Sequence, residues 1–344
     1  YNNFGFNNFI VEDASNIFLE AIKGVIDPQE KRKIIGETFL KVRDKVLNKL
    51  NLNYDEFLLA QGTLYPDIIE SGGTDHSHTI KTHHNRVEGI KELIEKGLII
   101  EPLKDLYKDE VRIIGKKIGL PDELVYRHPF PGPGLSINVI CSNGKIDKNF
   151  YSIKEEIKKI DLREYFKEDY EIDILPVKSV GVQGDARTYK FPVVIKNSNM
   201  LKDLDWDKLE LISSNIINKN RDINRVIISL FERRKCFLTE GYCTKERLDM
   251  LREVDSLVIE ELKKNNLYNK IFQHLTIILP FASNSSHCSI VLRPVVSEDV
   301  MTARFARFNK EFLATLIEKI KKIEFVDALF YDITNKPPAT FGWE

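Results

Sequence analysis

The chain has 344 residues, enough for two or three domains, and with 42% hydrophobic and 30% charged residues it has the composition of a globular protein, not of a disordered or fibrous one. Lys+Arg 51 against Asp+Glu 52 leaves a formal net charge of -1, which excludes the overall basic excess that attracts nucleic acid or anionic lipid, so any anion site has to be local. No stretch has the length of a membrane span, and Cys141, Cys236, Cys243 and Cys288 have neither CxxC spacing nor a histidine at finger spacing, which argues against structural zinc and disulfides and fits a reducing cytoplasm.

The Asn- and Phe-rich start at Tyr1 has no charged region followed by an apolar one, so no secretory signal is expected, and with Tyr in place of an initiator Met a fragment is expected. Ile17, Phe18, Ala21, Ile22 and Val25 recur at helical spacing; after Asp27-Pro28 so do Ile35, Phe39, Val42, Val46 and Leu50. Two amphipathic helices are predicted. Phe57-Leu58-Leu59-Ala60 stops at Gln61-Gly62 and reads as a short buried strand whose carboxyl end opens into a loop, the edge where α/β sheets take ligands. The polar stretch from Ser71 to Asn85 is too hydrophilic for core and too long for an ordinary connection, so a lid or a disordered loop is expected.

His128-Pro129-Phe130-Pro131-Gly132-Pro133-Gly134 excludes both helix and ladder strand, and a domain boundary is expected there. Beyond it the chain repeats itself. Glu155-Glu156-Ile157-Lys158-Lys159 resembles Glu260-Glu261-Leu262-Lys263-Lys264, and Leu175-Pro176 matches Leu279-Pro280, at an offset of about 105 residues. After each Leu-Pro come a β-rich run, an amphipathic helix (212–217; 312–320) and an apolar strand (226–231; 326–331). Two α/β modules of about a hundred residues are expected, paired about a pseudo-twofold axis.

Ser71-Gly72-Gly73-Thr74-Asp75-His76-Ser77 resembles a pyrophosphate-cradling SGGxDS loop, but it lacks the strand before and helix after that would converge N–H groups on an anion, and it carries an extra residue. Lys81-Thr82-His83-His84-Asn85 gathers a cation, a hydroxyl, two imidazoles and an amide. It suits a polyphosphate through charge-assisted hydrogen bonds, or it is a solvated loop. With Glu70 and Asp75 the only nearby carboxylates, no metal site is expected. Arg32 lies in the basic run Lys31-Arg32-Lys33 of an amphipathic helix, where such a run commonly marks the wet face. Composition and spacing reach an α/β protein with a phosphate-friendly loop; they do not reach a reaction.

Several stretches together resemble the glutamine-hydrolysing GMP synthetase family: 27–36, 60–71, 80–85, Glu101 to Asp105, Arg127 to Leu135, Ser179 to Asp185, and Lys336-Pro337-Pro338-Ala339-Thr340. They follow the family order over nearly the whole chain, and the duplication resembles the eukaryotic form. The resemblance implies an α/β fold in which residues 1–127 are the C-terminal part of an adenine-nucleotide α-hydrolase-like (ATP-pyrophosphatase) domain, with duplicated dimerisation modules at 128–240 and 241–344. It implies ATP-dependent amination of xanthosine monophosphate (XMP) to GMP, with Mg²⁺, through an adenylyl-XMP intermediate. Ammonia would come from a glutaminase domain outside this chain. No nucleic acid or membrane partner is expected, and the paired modules imply a monomer.

By the same resemblance Gln61, Gly62 and Asp67 fall on the ATP site, Lys81, His83 and His84 on a catalytic lid, and Arg32, Asp185, Gln273 and Lys336 on the XMP site. With the glutaminase domain and the true pyrophosphate loop missing, the chain by itself is expected not to turn over. Ala328 and Gly342 stand where the family carries an Arg and a Glu, so weakened XMP binding is expected unless a residue such as Arg293 supplies the charge. The rivals are another ATP-pyrophosphatase-fold ligase, such as an NAD synthetase-like one, and a non-catalytic XMP-binding or assembly fragment.

Overall fold

The computed structural model describes residues 10–52, 57–70, 93–166, 170–183, 186–297 and 302–344. They divide into two compact units, the first holding the described residues up to Lys23 and from Glu30 to Val111, the second Gly24–Gln29 and Arg112–Glu344.

In the first unit α1 (Ser15–Ala21) and α2 (Pro28–Lys49) form where the apolar spacing predicts. Pro28 suits the first helical position, whose N–H has no partner within the helix in any case. α2 buries Ile35, Gly36 and Thr38 but leaves Phe39 exposed, so its apolar stripe is only partly used in this unit. β1 (Leu59–Ala60) is followed by α3 (Tyr65–Glu70) and pairs in parallel with β2 (Ile99–Ile100). The expected buried strand over 57–60 is shorter and more open: Phe57 and Leu58 precede it and are 45% and 52% exposed. Two paired strands are the whole described sheet here, too little to cover both faces. α4 (Lys108–Lys117) runs across the division at Val111 and α5 (Asp122–Val125) follows it.

The second unit contains β3 (Ser142–Asn143), α6 (Phe150–Ile157), β4 (Glu171–Ile174), β5 (Ser179–Gln183), β6 (Ala186–Lys196), α7 (Trp206–Lys219), β7 (Ile223–Glu232), β8 (Phe237–Leu238), β9 (Glu240–Gly241), α8 (Lys245–Lys264), β10 (Gln273–Leu279), β11 (Phe281–Ala282), β12 (Cys288–Val296), β13 (Arg304–Phe305), α9 (Lys310–Ile320) and β14 (Val326–Asp332). The main helices begin where sequence signals them. Asp205, Thr244 and Asn309 accept hydrogen bonds from the N–H groups of Lys208, Arg247 and Phe312, capping α7, α8 and α9.

One sheet dominates, in the order β10-β12-β14-β7-β6-β4, with β13 beside β12 and β5 beside β6. Read outward from its centre, each half has the same plan. β14 and β7 meet antiparallel, each lies parallel to the next strand (β12 or β6), and that strand pairs antiparallel with the outermost (β10 or β4). In each half a helix, α9 or α7, makes the crossover that a parallel pair requires. β10 and β14 are buried at every position, the signature of strands covered on both faces, whose apolar runs carry no alternation.

The Pro/Gly segment lies within the second unit. The ring of His128 stacks on Tyr268 at 3.8 Å, the Gln273 Nε2 amide donates to the Pro129 carbonyl at 2.6 Å, and Val139 bridges Ile278 of β10. Among the described residues no helix is long and apolar enough to cross a membrane.

Candidate functional site

In the first unit the chain leaves β1 at Gln61, whose backbone N–H donates to the Ile100 carbonyl at 2.9 Å. Gly62 follows, exposed, with open space where a Cβ would stand. Leu64 then donates its N–H to the Asp67 carboxylate at 3.0 Å, so Asp67 reaches back and caps the first turn of α3. Gln61, Gly62 and Asp67 therefore do gather at the carboxyl edge of the parallel pair, and Asp67 also has a structural duty. Arg32 is half-buried on α2. Lys81, His83 and His84, with the whole Ser71 to Asn85 stretch, lie outside the described residues, as does Asp185.

In the second unit Lys336 belongs to the C-terminal tail and Gln273 opens β10. Lys336 pairs with Ala303 through both backbone groups, at 2.8 and 3.0 Å, and its ammonium lies 4.5 Å from the centroid of Phe341. Phe341 in turn packs on Phe272, beside Gln273, with centroids 5.4 Å apart. Gln273 is buried and gives one amide N–H to Pro129, which leaves its second N–H and its amide oxygen as the groups it can offer elsewhere.

The tail is laid against β5. Val182 donates its N–H to the Pro338 carbonyl at 2.7 Å, Val180 donates to the Trp343 carbonyl at 2.8 Å, and Gly181 bridges Ala339. Beneath this seam sit three charges that the sequence reading either missed or named only in passing. Arg225 of β7 and Arg293 of β12 both donate to Asp332 at the end of β14, at 2.7 and 3.1 Å, and all three side chains are fully buried. The indole N–H of Trp343 completes the carboxylate at 2.9 Å. Burial alone would raise the Asp332 carboxyl, but Arg293 and Arg225 outweigh it and hold it below the ordinary range. Burial works against the Arg225 guanidinium and lowers it to about 10, still charged at neutral pH. Two cations against one anion leave a positive excess, which is spread over neutral oxygens of the tail: Arg225 Nη2 donates to the Thr340 carbonyl and hydroxyl and to the Gly342 carbonyl, and Arg293 to the Thr334 and Thr340 carbonyls. The available signal was a single charge inside an apolar strand, which is tolerated only when it is paired.

The two substitutions singled out by the resemblance sit differently from that expectation. Ala328 is fully buried in the core cluster with Leu279, Val291, Phe330 and Trp343. Gly342 contributes its carbonyl to Arg225, a contact any residue could make. Among the described residues no group of three or more His, Cys, Asp or Glu is placed to hold a metal ion.

The chemistry on offer is thus a fixed cation at the root of a clamped tail in one unit, and a strand-edge loop in the other. The family described as "GMP synthase C terminal domain" matches residues 155–235 and 260–343, one segment in each half of the large sheet. A Leptospira interrogans protein named "Probable GMP synthase (glutamine-hydrolyzing)" is 44% identical over 97% of this chain and 54% of its own length. The Dictyostelium discoideum GMP synthase (glutamine-hydrolyzing) is 32% identical over 97% of this chain and 54% of its own. The Bacillus licheniformis protein of the same name is 47% identical but covers 66% of this chain and 45% of its own length. The chain therefore spans about half the length of the curated relatives it matches most fully.

Proposed function

Because the chain belongs to the GMP synthase family, we propose that it furnishes the XMP-binding part of an enzyme that aminates XMP to GMP at the expense of ATP. The purine C2 oxygen is a poor leaving group; transfer of the AMP moiety of ATP to it releases pyrophosphate, and ammonia then attacks C2, expelling AMP and losing a proton. Ammonia would come from glutamine in a glutaminase domain beyond the matched region. The Mg²⁺ of this scheme travels with the ATP polyphosphate as part of the substrate, and since no described side chains gather as a metal site, no step is assigned to a protein-held ion.

In this reading residues 1–127 are the adenine-nucleotide α-hydrolase-like part, with Gln61, Gly62 and Asp67 at the ATP and Lys81, His83 and His84 closing on its phosphates. Residues 128–240 and 241–344 are the two dimerisation-type modules, paired within one chain as a monomer. Arg32, Asp185, Gln273 and Lys336 take XMP. Lys336 serves the phosphate as a compact point charge, and Asp185 accepts from ribose or base. Four free thiols fit a cytoplasmic setting.

The observation that carries the proposal is the clamped tail: one set of hydrogen bonds holds both Lys336-Pro337-Pro338-Ala339-Thr340 and β5, the strand that ends two residues short of Asp185. The test is pyrophosphate release from ATP, XMP and ammonium in the enzyme that contains this region. Lys336→Ala is expected to raise the KM for XMP at least tenfold with the KM for ATP unchanged. Release that does not depend on XMP, or an unaltered KM, would overturn the proposal.

A further inference from the structure

The two halves of the large sheet can be aligned by a shared device. In the first half Asn224, entering β7, clasps β5: it donates from Nδ2 to the Ser179 carbonyl at 2.7 Å and accepts the Ser179 hydroxyl at 2.9 Å. In the second half Asp327, entering β14, accepts from the Ser283 N–H just past β11 at 2.7 Å. Asn224 and Asp327 therefore correspond, and so do the residues that follow them, Arg225 and Ala328. The halves share a fold but differ at this position, one holding a guanidinium and the other a methyl group.

The difference follows from where each half sends its C-terminal extension. Each crosses to the other half. The segment after β7 pairs through β8 with β11, and the tail after β14 lies on β5. Only the second is a Lys336-Pro337-Pro338 tail, and its Thr340 and Gly342 carbonyls accept from Arg225. Arg225 reaches five oxygens outside its own strand: Val180 at 3.1 Å, the Thr340 carbonyl at 3.2 Å and hydroxyl at 3.0 Å, the Gly342 carbonyl, and Asp332 at 2.7 Å. It touches both sides of the seam at once, β5 through Val180 and the tail through Thr340 and Gly342. Ala328 is instead packed among Trp343, Phe330 and Leu279.

We infer that Arg225, backed by Asp332 and Arg293, is a positioning residue for XMP: it latches the C-terminal tail onto β5 and so fixes Lys336 at one end of that tail against the strand Ser179–Gln183. The latch is supplied across the pseudo-twofold from the first half, and this is why the second half can dispense with the Arg that the resemblance leads one to expect at 328. This rests on the reading of Lys336 as an XMP residue. Arg225 is fully buried and acts through the tail, with no contact to substrate of its own. Opening the latch strands two buried guanidinium groups without the tail oxygens that accept from them, which makes the closed tail the favoured state.

The experiment combines XMP titration into the 344-residue chain with hydrogen exchange at the Val180 and Val182 amides, which report the seam directly. Arg225→Met is expected to speed exchange at both amides and to weaken XMP binding at least tenfold. Arg225→Lys, which keeps the charge but has no fork, should recover part of each. Thr340→Val removes one seam contact with little change in volume, and Trp343→Phe removes the indole N–H from Asp332 at the cost of a smaller buried ring; Thr340→Val should give smaller losses in the same two readouts even if Arg225→Met fails to fold. Lys336→Ala should weaken XMP with exchange at Val180 and Val182 unchanged, which separates contact from positioning. Fast exchange in Thr340→Val or Arg225→Lys with XMP affinity equal to the parent would overturn the positioning role. Failure of the parent chain to bind XMP would instead count against the functional reading, while the exchange data still test the latch.

Discussion

Ala328 pairs in register with Ser289 of β12 on one side and Glu232 of β7 on the other, with no exposed surface. Putting the family-like arginine there would force a charge and several heavy atoms into packed core, where overpacking alone costs about 1–3 kcal/mol and an unpaired buried charge costs more. Urea unfolding of Ala328→Arg should show a loss of about 3 kcal/mol or more. Gly342 makes the opposite case. A Cβ at that position would meet its nearest neighbour, the Glu344 carbonyl oxygen, at 3.7 Å, an ordinary contact, so Gly342→Ala should leave melting and XMP affinity within measurement error. The resemblance named Lys336 and Gln273. It could not make Arg225 legible, because a lone charge in Ile223 to Phe231 looks like the wet side of a strand until Asp332, 107 positions away, is folded beside it.

At the scale of single elements, β5 depends on Gly181. An added Cβ would stand 2.8 Å from the Asn224 amide nitrogen and 2.9 Å from the Pro338 carbonyl oxygen, and neither can retreat without breaking the seam. Gly181→Ala should therefore raise the XMP dissociation constant and speed exchange at Val182, as a backbone route to the same open tail. β10 carries a pH dependence. His274 is buried with its Nε2 against the Thr276 hydroxyl, which in turn donates to Asp255; burial, and then the neighbouring His128, push its pKa down to about 3. Its unfolded pKa is about 6.5, so the folded state binds fewer protons. Stability from this group is whole above pH 6.5 and declines as pH falls below it, by up to about 1.4 kcal/mol per pH unit. Denaturant midpoints between pH 7 and 4.5 should show that slope, and His274→Asn should flatten it. Helices α2, α7 and α9 were legible from apolar period, whereas β1 was overestimated. An apolar run predicts burial only where there is enough sheet to bury it.

At the scale of the whole chain, the internal repeat read from residues 155–264 and the two segments matched by one family agree with a sheet that repeats its plan outward from β7 and β14. β7 and β14 pair antiparallel within the chain, and in the monomer we propose this pairing stands in for one between subunits. Sedimentation equilibrium is expected to give a monomer mass across a hundredfold range of concentration; a concentration-independent dimer would contradict the pairing proposed. What the sequence could not convey is the crossing of the two extensions, since nothing local in Phe237-Leu238 or Thr340-Phe341-Gly342 names the distant strand each will join. The crossing also breaks the symmetry. One half receives a Lys-Pro-Pro tail clamped by Arg225, the other receives β8, so a two-module chain should carry one XMP site and not two. Calorimetric titration of XMP into the chain tests this most directly: the account predicts saturation at one XMP per chain, abolished or weakened at least tenfold by Lys336→Ala, whereas two equivalent sites, or binding indifferent to Lys336, would contradict it.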